Sequence, residues 1–246
     1  MDAKRIHWID IAKGFFIIAI VLGHIFNSGY LRNWLFSFHI PAFFLLSGYC
    51  FKYESSFGDF ALKKFRTIVV PYLTFSMLSI LAFYFASQII PSIQSIMECD
   101  ILENVITMLY GNSKPDVMKY NSPLWFLPCL FSVTVLAYGV EWLVKRANVK
   151  VRYIAILCSV VIGAVVNKNE GLRLPWHIET ALSILVWFLL GIRVREYISS
   201  HKDKIKTLLD KQTVLPYVLI LVGGAISFLN IRTVCFVGIN RVCFIE

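Results

Sequence analysis

The chain has 246 residues, is 58% hydrophobic and carries a formal net charge of +9; its mean hydropathy is +0.69. A soluble domain is about 45–50% apolar, and the surplus here is gathered into blocks, which argues against a water-soluble globule and for a polytopic membrane protein. The basic residues sit in short clusters between those blocks, as the positive-inside rule expects, so nucleic acid is not an expected partner.

Seven hydrophobic segments follow one another: 12–28, 34–51, 68–90, 123–144, 153–167, 178–192 and 214–230. Most approach the ~20 residues that cross ~30 Å of hydrocarbon; the fifth and sixth are short, which predicts less tilt or partial shielding by protein. The first is long enough to anchor the chain, and no small-x-small cleavage site follows it. Lysine and arginine set the orientation. With the N-terminus in the cytoplasm, seventeen of them fall in the cytoplasmic pieces (1–13, 52–67, 145–152 and 193–211) and seven outside, which favours that topology. The stretch 91–122, with Glu98, Asp100, Glu103 and Asp116, then lies on the outer face. Residues 195–211 predict an amphipathic cytoplasmic helix, with Ile198, Ile205, Leu208 and Leu209 set against lysines. The six cysteines are scattered without a CxxC pair, so neither a metal site nor a disulfide framework is expected.

Ionisable residues inside spans are costly and face a bundle interior or a watery cavity. The run KGFFIIAIVLGH, Lys13 to His24, has no polar residue between its ends. Its eleven-residue spacing amounts to three helical turns plus roughly 20°, about 16 Å along the axis, so both ends share a face. Asp10, three residues earlier, falls on the same side. Gly14 and Gly23 predict close approach of a neighbouring helix. Each residue also has a plainer reading: His24 as a packed histidine, Lys13 as a snorkelling anchor, Asp10 as a first-turn acid. In SFHIPAFFLLSGY, residues 37–49, His39 precedes Ile40-Pro41. Proline predicts a broken helix there, which is tolerated at membrane depth where it is buried in protein or lines a cavity. SPLWFLPCLF, residues 122–131, opens the fourth span with Trp125 at an expected interfacial belt. His7, His177 and His201 are expected at the surface.

The motifs WIDIAKGFFIIAIVLGH (8–24), SFHIPAFFLLSGYCFK (37–52) and SPLWFLPCLF together resemble the acyltransferase 3 family of integral membrane acyltransferases, most nearly its fucose 4-O-acetylase-like branch. The family carries a basic residue, usually arginine, ahead of a histidine on its first helix; Lys13 and His24 occupy those places. The resemblance implies an all-α transmembrane bundle with about ten spans, so a domain of residues 1–230 is expected to be incomplete, followed by an atypical tail, 231–246. It implies transfer of an acyl group, most simply acetyl from acetyl-CoA, to a hydroxyl of a cell-envelope or exported carbohydrate or lipid-linked glycan in the inner cell membrane. His24 is then the general base, taking the hydroxyl proton at near-neutral pH. His39 orients it, binds the acyl carbonyl or binds acceptor. Lys13, steadied by Asp10, draws in the anionic donor, and Lys63, Lys64 and Arg66 either do the same or anchor the chain at the lipid surface. Ser47 as acyl carrier and Trp125 are accessory candidates. No bound cofactor or metal is expected. A proton-coupled transporter is the rival class, since intramembrane histidines and a broken helix would suit one; an inactive family member is the third possibility.

Overall fold

The computed structural model describes residues 7–25, 30–90, 101–111, 123–145, 147–168 and 173–201. Every regular element among them is helical: α1 (His7–Ile25), α2 (Tyr30–Tyr49), α3 (Phe57–Lys64), a π-helical turn (Phe65–Val69), α4 (Val70–Ile89), α5 (Ile101–Tyr110), α6 (Phe126–Val144), α7 (Val149–Lys168) and α8 (Ile178–Ser200), the last preceded by a 3-10 turn, Pro175–His177. Four stretches are long and apolar enough to cross a membrane: Phe57–Ile89, Pro123–Val144, Val149–Val166 and Pro175–Ser200. The fold is an all-α helical membrane bundle.

The surface explains why lipid is its solvent. Along Val149–Val166 only 11% of the residues are buried. Tyr153, Ile154, Leu157, Val160, Val161 and Val165 all point outward, whereas Ile156, Ser159 and Gly163 form the narrow stripe that packs. A helix apolar all round cannot face water.

The helices outrun the apolar blocks. The fifth and sixth segments, expected at 153–167 and 178–192, are helices of 20 and 23 residues. Hydropathy marks the part in lipid, while the backbone ladder continues through good helix formers such as Arg195 and Glu196. Arg193 and Glu196 pair at 2.6 Å along this extension. The third span starts upstream of its apolar block, at Phe57, where Ser56 caps α3 by accepting from the Asp59 N–H at 3.3 Å. The stretch 91–122 contains α5, which buries Asn104, Thr107 and Met108. The break expected at Pro41 is absent: α2 runs through it. Proline removes one donor, to the Ser37 carbonyl, and membrane helices accommodate that loss when neighbours and local bonds compensate. The segment 214–230, the remainder of 195–211 and the tail 231–246 lie outside the described residues.

The described residues divide into two compact units, one of α1, α2 and α8 from Val186 onward, the other from Tyr53 to Leu185. In the first, α1 lies along α2; Ile9, Ala19 and Gly23 are its buried stripe, and Phe16 meets Phe38 at 6.4 Å between ring centroids. Gly14, expected to admit a neighbour, has open space where a Cβ would sit. Close approach occurs at Gly48 and Gly191 instead. A Cβ on Gly48 would overlap the Phe188 carbonyl oxygen and lie 2.8 Å from its carbon; one on Gly191 would overlap the Leu45 carbonyl oxygen and lie 2.8 Å from the Tyr49 nitrogen. Reciprocal glycines bring α2 and α8 together backbone to backbone, the small-residue packing that substitutes for a hydrophobic driving force in lipid. Phe51 packs edge-on against Phe188, and Arg195 Nη1 donates to the Phe51 carbonyl.

The second unit is stitched by side chains bonded to distant backbone. Tyr72, Ile80 and Met108 form a buried cluster, and the Tyr72 hydroxyl donates to the Met108 carbonyl at 2.9 Å. Tyr138 stacks on Tyr53 and on Phe60, with centroids at 4.8 and 4.6 Å, and donates to the Glu54 carbonyl at 3.0 Å. Lys63 pairs with the Glu54 carboxylate at 2.6 Å, and Lys145 caps the Tyr53 ring at 4.5 Å.

Candidate functional site

α1 is one uninterrupted helix, so the register that sets Lys13 and His24 on one face holds along its length. Lys13 is partly exposed. The side chains of Asp10 and His24 lie outside the described residues. Ser47 is partly exposed, one position before the buried Gly48.

His39 is the polar centre of the first unit. It is 2% exposed, on a helix whose neighbouring Leu35, Ile40 and Phe44 are also buried. Its Nδ1 lies 2.5 Å from the Leu35 carbonyl oxygen, one helical turn back. A carbonyl can only accept, so Nδ1 carries the hydrogen, and Nε2 holds the lone pair of the neutral ring. Local geometry alone fixes this tautomer.

In the second unit Trp125, near the start of the span Pro123–Val144, is buried against protein, edge-on to His177 with centroids 5.7 Å apart. His177 is not at the surface as expected: it is 4% exposed. The reason is a strained turn. Trp176 has φ 57° and ψ 27°, and His177 has φ 52°, a left-handed conformation unfavourable for bulky residues and costing about 1–3 kcal/mol at each. Surrounding contacts hold it. Ser132 donates to the Trp176 carbonyl at 2.8 Å; the Leu174 N–H donates to Glu179 Oε2 at 3.0 Å; the Tyr110 hydroxyl donates to the Arg173 carbonyl at 3.0 Å. Gly111, at φ +67°, lies against Trp176. Glu179 Oε1 is 3.5 Å from His177 Nδ1, an ion-pair separation too long for a good hydrogen bond. His201, by contrast, is partly exposed and stacks on Tyr197 at 4.4 Å. The mark of this site in the sequence is Glu179, a carboxylate inside the apolar segment 178–192. Nothing in the spacing reveals the left-handed turn that turns His177 inward.

The fold and site define an integral membrane protein that buries an imidazole, His39, among apolar side chains. Residues 6–239 match the family model of the acyltransferase domain that defines the acyltransferase 3 family, and the chain belongs to that family. No curated protein and no solved structure matches it.

Proposed function

We propose that this membrane acyltransferase is an O-acetyltransferase that moves acetyl from acetyl-CoA to a hydroxyl of an exported or cell-envelope carbohydrate, in the inner membrane, with His24 as general base. The hydroxyl oxygen attacks the thioester carbonyl carbon, the new C–O bond forms and the C–S bond breaks. The hydroxyl proton passes to the imidazole and then to the departing thiolate sulfur. Lys13, on the same face of α1, meets the anionic donor.

The observation that carries the reading is the family match over residues 6–239, and the hydrogen held on His39 Nδ1 refines it. With Nδ1 committed to Leu35, the neutral ring has no second N–H to offer an acyl oxygen. Nε2 of the neutral ring is then an acceptor, which supports a role beside the acceptor hydroxyl or the His24 ring more than one at the acyl carbonyl. The unbroken α2 removes one of the features that would have suited a carrier.

The experiment is transfer of labelled acetyl from acetyl-CoA to envelope glycan in membranes holding this chain, against His24→Ala at equal expression. Transfer lost in the variant supports the enzyme and its base together. Transfer that persists removes His24 from the mechanism, and transfer absent from both removes the acetyltransferase.

A further inference from the structure

Acetyl transfer as proposed makes no use of the turn at His177 and Glu179. We propose that these two residues bind a hydroxyl of a neutral, ring-shaped polyol, the pyranoside part of the acceptor. The word acceptor rests on the acyltransferase reading; the binding itself does not.

The first observation is His177. Roughly nine in ten buried polar groups have a hydrogen-bond partner, yet neither of its ring nitrogens has one among the described residues. The second is independent: the ring is placed by two consecutive left-handed residues, the first held through its carbonyl by Ser132, with Glu179 holding Leu174 just upstream. Backbone strain that a fold ties down in this way concentrates at ligand sites. The third is chemical. Glu179 Oε1 stands on the Nδ1 side at 3.5 Å, which draws the ring hydrogen to Nδ1 and leaves the lone pair on Nε2. Carboxylate and lone pair both accept, so the ligand donates. An anion such as a donor phosphate is repelled by Glu179, and an acyl chain would satisfy neither group. A hydroxyl satisfies the ring. Trp125 and Trp176 stand beside it, the latter 5.4 Å from Phe131 between centroids. Such flat apolar surfaces suit the C–H face of a sugar ring. Leu174, Trp176 and Glu179 around it are partly exposed.

The test uses the full chain in lipid nanodiscs with 15N-labelled histidine. Methyl β-D-glucopyranoside is the probe and ethanol the control. The His177 resonance is identified by its loss in His177→Gln or, where that variant does not fold, in His177→Asn. Expected is a saturable shift with the glycoside and none with ethanol, and in Glu179→Gln a midpoint raised by about tenfold. No shift, or an equal shift with ethanol, overturns the site and leaves a buried water as the partner of the ring. Acetyl transfer measured on the same discs separates the two proposals. Glycoside binding without transfer would sink the enzyme and keep the site; transfer without a glycoside response would do the reverse.

Discussion

His39 and His177 are both buried imidazoles with Nδ1 turned toward an oxygen, and they are placed by opposite means. His39 sits on a regular helix and bonds to a carbonyl of its own preceding turn. No other element has to be in place for that bond to form. His177 sits on a strained turn, faces a carboxylate at 3.5 Å, and depends on Ser132, Leu174 and Gly111 for its position. The packing around each follows the same division. Glycines let α2 and α8 touch backbone to backbone in the first unit, whereas tyrosine and serine hydroxyls reach distant carbonyls in the second. A membrane protein can thus fix a buried imidazole locally, where it is robust, or through tertiary contacts, where it is conditional.

The contrast can be broken most severely at the glycines. Gly48→Val would drive a side chain into the Phe188 carbonyl. Overpacking costs about 1–3 kcal/mol where side chains can shift, and more where the obstacle is backbone. Loss of the monodisperse species in detergent chromatography is expected; a variant as stable as the parent would mean that the helices do not meet there.

Next in size is His39→Phe, which keeps an aromatic ring of similar bulk and removes the lone pair. Transfer should fall by about 10²–10⁴-fold in folded protein. Undiminished turnover would reduce His39 to packing. Asparagine sharpens the comparison further because it tolerates left-handed backbone. His177→Asn should stay within about 1 kcal/mol of the parent, strain relief offsetting lost contacts. The same change at the helical, tightly packed His39 should cost about 2 kcal/mol or more. Equal thermal unfolding midpoints for the two variants would erase the distinction. The smallest effect belongs to Tyr138→Phe, which deletes the bond to the Glu54 carbonyl. A loss of about 1 kcal/mol, or roughly 2–4 °C in midpoint, is expected, and an unchanged midpoint would show the aromatic stack suffices alone.

Much of this fold is legible in the sequence because lipid imposes one rule on every span. The block 123–144 coincides with a long apolar helix, 68–90 overruns its own by one residue, and WIDIAKGFFIIAIVLGH lies wholly within α1. The failures have local causes. Pro41 reads as a break because sequence counts its missing donor and not the neighbours that make good the loss. Gly14 and Gly48 look alike in sequence, each a glycine in an apolar run, and only tertiary structure says which one meets a carbonyl. His177 reads as a loop residue because a left-handed turn at Trp176 carries no compositional mark when no glycine is present. On the candidate site, sequence singled out His39, and the structure adds its tautomer. Glu179, an acid at the head of an apolar segment, is equally visible there.

α7 has a use as a ruler. Tyr153, Ile154, Leu157, Val160 and Val161 on its outward side are exposed, so probes attached along them would report depth rather than disturb function. The chain already supplies one natural mark, Cys158, a free thiol on the exposed side of this helix. Maleimide reacts with the thiolate, which hydrocarbon disfavours, so a water-soluble maleimide should leave that thiol untouched in intact bilayers and label it once the protein is denatured. Read at the Cys158 peptide, apart from the five other cysteines of the chain, the contrast would say whether the middle of α7 lies in hydrocarbon.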